Sequence, residues 1–116
     1  MQKFGIIGMG IRGKMYANVI RQNPDAQLMA ICDTNEAVLE EYSKTWGIKV
    51  FKDFRAMIDN ADINVVIVAT PDFMHRDAVI YAAEHKLDMM VEKPFSTSVE
   101  ECREMSDAIK DNGVKC

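Results

Sequence analysis

The chain has 116 residues, with 14 Lys+Arg against 18 Asp+Glu and a formal net charge of −4. Hydrophobic residues make up 48% and charged residues 28%, which excludes collagen-like, low-complexity and wholly disordered classes. The mild acidity argues against nucleic acid as the main partner, since phosphate binding wants a basic face, and no apolar run approaches the ~18 residues of a membrane-spanning helix.

Met1-Gln2-Lys3 leads directly into Phe4-Gly5-Ile6-Ile7, without the pattern of a secretory signal. The three cysteines, Cys32, Cys102 and Cys116, are odd in number and widely spaced, with no metal-ligand grouping. Reduced thiols and a cytoplasmic setting are the expectation.

Short β-branched runs alternate with longer amphipathic ones. Residues 3–7 predict a strand. The helix that follows carries Ile11, Met15, Val19 and Ile20 at helical spacing and stops before Pro24. A second strand is expected over 27–32. Its helix is marked by Val38, Leu39 and Tyr42 and closed by Gly47. Residues 49–51 form a short third strand, and Asp53 is placed to cap a short helix with Phe54, Met57 and Ile58.

Residues 64–68 hold the continuous apolar run Val65-Val66-Ile67-Val68, which fits a strand covered on both faces. The fourth helix is expected from about 74 to 86, with Ala78, Val79 and Ala82 inward, and the fifth strand over 88–91. Ser98-x-x-Glu101 is a capping box opening a helix with Val99, Cys102, Met105 and Ile109 on one stripe, ended by Asn112-Gly113. Val114-Lys115-Cys116 reads as the opening of a sixth strand, so the chain reads as the front part of a longer protein; a frayed natural end is the alternative.

The order βαβαβαβαβα implies right-handed crossovers and an α/β fold. The expected architecture is a doubly wound, mostly parallel Rossmann sheet in three αβα layers. Such sheets bind ligands beyond the carboxyl ends of their strands.

Gly8-Met9-Gly10-Ile11-Arg12-Gly13 is a GxGxxG loop at the first strand–helix junction. Gly8 permits the tight turn, Gly10 lets a pyrophosphate approach the backbone, and Gly13 lets the helix pack closely. The helix N-terminus offers unpaired N–H groups to phosphates, and Arg12 adds a charge. Three glycines also make a plain tight turn, and methyltransferase-like sheets use a similar loop for a nucleoside cofactor. Asp33 stands 20 residues after Gly13, near the expected offset of ~20, where a carboxylate accepts ribose hydroxyls and repels a 2′-phosphate. NAD is thereby favoured, with NADP still open through a neighbouring cation. Asp33-x-x-Glu36 also has the shape of a capping box, with Thr34 as another candidate cap.

Ala69-Thr70-Pro71-Asp72-Phe73-Met74-His75 follows the fourth strand and Val91-Glu92-Lys93-Pro94 the fifth. With the glycine loop and Asp33, these motifs resemble the Gfo/Idh/MocA oxidoreductases over the whole chain. The resemblance implies that residues 1–116 are the NAD(P)-binding Rossmann domain of a two-domain enzyme whose substrate domain this chain lacks. It implies hydride transfer between the nicotinamide and a secondary alcohol or carbonyl of a sugar, polyol or related small molecule. It places Gly8, Gly10, Ile11, Arg12 and Gly13 at the pyrophosphate and Asp33 at the adenosine ribose. Thr70, Pro71 and His75 would lie along the cofactor, Glu92 near the nicotinamide ribose, and Lys93 at the reacting carbon as the catalytic residue.

A lysine there would stabilise a developing alkoxide and relay its proton. Read without the resemblance, Lys93 is a surface cation paired with an acid, and His75 a helix-surface or core residue. Tyr16 and Trp46 read as packing residues, and the nine methionines as core filler. Surface that the absent domain would cover invites homo-oligomerisation. A non-catalytic NAD(H) sensor remains a second reading, and a methyltransferase fragment a third that Glu92-Lys93-Pro94 disfavours.

Overall fold

The computed structural model describes residues 2–70, 75–92 and 98–116. Ten elements alternate along it: β1 (Gln2–Ile7), α1 (Ile11–Gln22), β2 (Ala26–Cys32), α2 (Glu36–Trp46), β3 (Lys49–Phe51), α3 (Phe54–Asn60), β4 (Val65–Val68), α4 (His75–Glu84), β5 (Asp88–Val91) and α5 (Val99–Asn112). The strands form one sheet in the order β3-β2-β1-β4-β5, with every pair parallel. The order reverses between β2 and β4 on either side of β1. That reversal opens a crevice at the carboxyl ends, where ligands bind in such sheets.

The sheet is buried on both faces, and alternation along each strand sorts side chains between two cores. On one face Ile7, Val66, Val68 and Met89 meet α3, α4 and α5 through Met57, Ile58, Val79, Ala82 and Met105. On the other, Ile6, Ile31 and Ile67 meet α1 and α2 through Ala17, Ile20, Leu39 and Tyr42. Val66, Ile67 and Val68 are all but inaccessible, and full burial of such a side chain is worth ~1.5–3 kcal/mol. The continuous apolar run in β4 is thus explained.

Caps sit largely where the sequence places them. Asp53 accepts from the Arg55 N–H, and Ser98 from the Glu101 N–H. Gly47 and Gly113 close α2 and α5 in the left-handed conformation. The cap of α2 differs: neither Asp33 nor Thr34 provides it. Asn35 does, accepting from the N–H groups of Ala37 and Val38. Asp33 is two residues too early, which leaves its carboxylate outside the helix.

Of the predicted apolar stripe of α1, Ile20 alone is buried. Ile11 is 90% exposed, Val19 60% and Met15 42%, and the buried residues are Gly13, Ala17 and Ile20. The reason is steric. A Cβ on Gly13 would lie 2.0 Å from the Gly8 carbonyl oxygen, so α1 rests on the strand end through its smallest residue. That contact sets the rotation of the helix, and the larger apolar side chains follow it outward. Val99 of α5 is likewise exposed although it belongs to the predicted stripe.

Residues 114–116 form no assigned strand. They nevertheless lie against β5: the Met89 N–H donates to the Lys115 carbonyl at 2.9 Å, and the Lys115 N–H to Asp88 Oδ1 at 2.9 Å. Among the described residues, no helix is long and apolar enough to cross a membrane.

Candidate functional site

A cavity of about 610 Å³ opens at the crevice beside β1. Its wall brings together Gly8, Gly10, Ile11, Arg12, Asp33, Thr70 and Glu92. These come from the ends of four different strands, which the parallel topology gathers at one edge.

Gly8 turns the chain out of β1 with φ +94°, a conformation side chains rarely adopt. A Cβ there would also press on the backbone of Ala69 and Thr70, at 2.9–3.0 Å. Gly10 faces open space, with nothing within 4 Å of where a Cβ would stand. It is the N-cap of α1, with no side-chain cap and no acidic residue in the first turn. The leading N–H groups of the helix therefore have no side-chain acceptor, and the helix dipole is uncompensated at that end. An anion of diphosphate size meets both requirements.

Asp33 stands at the carboxyl end of β2. Its Oδ2 accepts the Met9 N–H at 2.8 Å, and its Oδ1 the Asn35 N–H at 2.8 Å. Two backbone donors fix the carboxylate against the glycine loop, and each oxygen keeps a lone pair for a ligand hydroxyl. Lys52, on the same side of the cavity, is ion-paired with Glu36, whose carboxyl that contact lowers below its ordinary range.

Glu92 follows β5, its N–H bonded to the Val68 carbonyl at 2.9 Å. Its side chain, 18% exposed, accepts from the Tyr16 hydroxyl at Oε1 and stands 3.9 Å from Arg12 Nε at Oε2. The Tyr16 hydroxyl is pushed above its ordinary value, first by that hydrogen bond and then by burial.

Thr70 ends the β4 wall. Among the described residues its Oγ1 is the buried side-chain polar atom without a hydrogen-bond partner. Such a group costs about 1–3 kcal/mol unless something bonds it, and it lies on the cavity wall. A dinucleotide therefore fits the residues present: bare helix N–H groups, space at Gly10, an oriented carboxylate and an orphaned hydroxyl.

Two of the expected residues stand behind the wall rather than on it. Gly13 packs under Gly8. His75 is fully buried, and its Nε2 lies 2.7 Å from the Thr70 carbonyl, so it holds the threonine in place. Pro71 and Lys93 lie outside the described residues. Sequence reasoning missed Tyr16, Thr34, Lys52, Asp53 and Phe54. The last four border the cavity at the ends of β2 and β3. The one available signal was position, since the residues after each parallel strand face the crevice.

A family model described as "Oxidoreductase family, NAD-binding Rossmann fold" matches residues 2–116. An uncharacterized oxidoreductase of Streptococcus pneumoniae is 35% identical over 98% of this chain and 30% of its own length. The scyllo-inositol 2-dehydrogenase (NAD(+)) of Bacillus subtilis is 32% identical over 96% of this chain and 33% of its own length. The crystal structure of scyllo-inositol dehydrogenase from Lactobacillus casei, with bound NAD(H) and scyllo-inositol, superposes with a TM-score of 0.91. It is 29% identical and covers 97% of this chain and 34% of that one. The chain thus spans about a third of the length of these relatives. Nothing in these likenesses favours a methyltransferase or a stand-alone sensor.

Proposed function

Because the chain belongs to the oxidoreductase family with an NAD-binding Rossmann fold (Gfo/Idh/MocA), we propose that residues 1–116 are the cofactor-binding domain of a two-domain dehydrogenase. The observation that carries this reading is the pair of carboxylates on either side of the glycine loop. Asp33 follows β2 and Glu92 follows β5, three strand steps apart in the sheet. At ~4.8 Å per step that is roughly 14 Å, with the N-terminus of α1 between them. Two riboses joined through a diphosphate repeat that pattern.

In this reading the N–H groups at the start of α1 hold the diphosphate, and Arg12 adds its charge at the rim. Asp33 accepts the adenosine ribose hydroxyls, and Glu92 those of the nicotinamide ribose. Thr70 Oγ1 supplies a further hydrogen bond along the cofactor. Bound NAD supplies the hydride acceptor. Asp33 repels a 2′-phosphate, and Glu36 neutralises Lys52, the nearby cation that would welcome one. NAD is therefore preferred over NADP.

The substrate is a sugar, polyol or related small molecule, with scyllo-inositol in the solved relative as support for the class. Lys93 is next in sequence to Glu92, and we assign it the catalytic role. As the neutral amine, a lysine at the reacting oxygen would take up the hydroxyl proton, and the ammonium so formed would stabilise the negative charge developing on that oxygen. The odd number and wide spacing of the cysteines support a reducing, cytoplasmic setting.

Titration of the chain with NADH, followed by cofactor fluorescence, tests the reading. Saturable binding that NAD and ADP compete away, and NADPH competes away less well, is expected. Folded protein that leaves NADH free at millimolar concentration overturns it.

A further inference from the structure

The Tyr16 hydroxyl donates to the carboxylate of Glu92 across 76 positions of sequence. Tyr16 lies one helical turn after Arg12 on α1, so both side chains leave the same face of the helix. Each addresses a different oxygen of the same carboxylate. The contact joins the helix that carries the glycine loop to the far end of the crevice.

We infer that Tyr16 is a positioning residue for the nicotinamide half of the cofactor, acting through Glu92. The inference rests on the NAD-binding reading and deepens it. A glutamate has three side-chain torsions, and holding it in one rotamer before ligand arrives spares the entropy of ordering it later. The phenol suits this task. It has one proton to give, so Oε1 keeps a lone pair for a ribose hydroxyl. Its raised pKa keeps that proton in place throughout the neutral range. Arg12, 63% exposed and 3.9 Å away, is too loosely held to orient the carboxylate alone.

Tyr16→Phe removes the donor and keeps the ring. Binding of NADH and of ADP is compared in wild type and variant by calorimetry. ADP lacks the second ribose and serves as the internal control. NADH should bind about five- to tenfold more weakly, the loss expected from one unfixed rotamer-rich side chain, and ADP affinity should stay unchanged. Equal losses for both ligands would mean a merely structural residue and would overturn the inference, as would no loss for either. If wild type itself ignores NADH, the underlying NAD reading fails instead.

Should Tyr16→Phe not fold, wild-type protein labelled with 13C at the tyrosine ring decides the matter. The chain has three tyrosines, so the Tyr16 signal is assignable. It should move on NADH addition and stay put on ADP addition. A Tyr16 signal that NADH leaves in place contradicts the inference.

Discussion

The two carboxylates of the crevice are held in opposite ways. Asp33 is fixed by backbone, through the N–H groups of Met9 and Asn35. Glu92 is fixed by side chains, through Tyr16 and Arg12. A backbone donor stays wherever the loop keeps its shape, whatever residue occupies the position. A side-chain donor is lost with one substitution. In the proposed reading, the adenosine end is thus a property of the fold, and the nicotinamide end a property of particular residues.

The largest effect should come from disturbing the helix that serves both ends. Gly13→Ala would drive a methyl into the Gly8 carbonyl, with backbone on both sides and no side chain to yield. A loss of about 3 kcal/mol or more is expected, read as a large fall in Tm or failure to fold. An unchanged Tm would mean that α1 is free to lift from the strand end, and that neither carboxylate is anchored as described.

Next comes the adenosine end alone. Asp33→Ala should weaken NADH about ten- to hundredfold, the ~1.5–3 kcal/mol of hydrogen bonds to a charged group. Asp33→Arg should turn preference towards NADPH. Selectivity that stays the same would remove Asp33 from the ribose.

Between the two ends stands Thr70. Thr70→Val replaces an orphaned buried hydroxyl by a methyl of the same shape. The free protein should gain about 1 kcal/mol in denaturant unfolding, since no partner is lost. NADH affinity should fall several-fold. A gain in stability with unaltered affinity would take the hydroxyl out of the cofactor site.

The smallest effect concerns Cys32, the residue before Asp33. Its thiol is pushed from an ordinary 9.0 up to about 12, first by burial and then by Asp53 and Asp33. The unfolded chain releases this proton near pH 9, while the folded one keeps it until about 12. The unfolded state thus binds fewer protons over that window, and stability falls as pH rises through it. The raised Tyr16 hydroxyl acts in the same direction. Thermal melts at pH 8 and 10.5 should show the fall, with a shallower slope in Cys32→Ala. Equal slopes would mean that the thiol ionises in the folded protein.

The same contrast explains what the sequence revealed. The roles proposed for the glycine loop and Asp33 could be read from the sequence because they depend on backbone spacing along one βαβ unit. β4 is legible for a related reason, since burial on both faces demands a continuous apolar run. Tyr16 was read as packing because nothing local ties it to Glu92; only the pairing of β1 with β4 and of β4 with β5 brings them together. The buried face of α1 was hidden for another reason. Close approach at Gly13 outranks the size of Ile11, Met15 and Val19 in setting the rotation of the helix. His75 looked like a cofactor neighbour by motif and stands one residue behind the wall, bonded to the Thr70 carbonyl.

A crystal structure of the chain with NAD bound tests the central claim most directly. The diphosphate should rest on the N–H groups at the start of α1 beside Gly10, with one ribose on Asp33 and the other on Glu92. A diphosphate seated away from that helix end, or a second ribose that leaves Glu92 untouched, would contradict it.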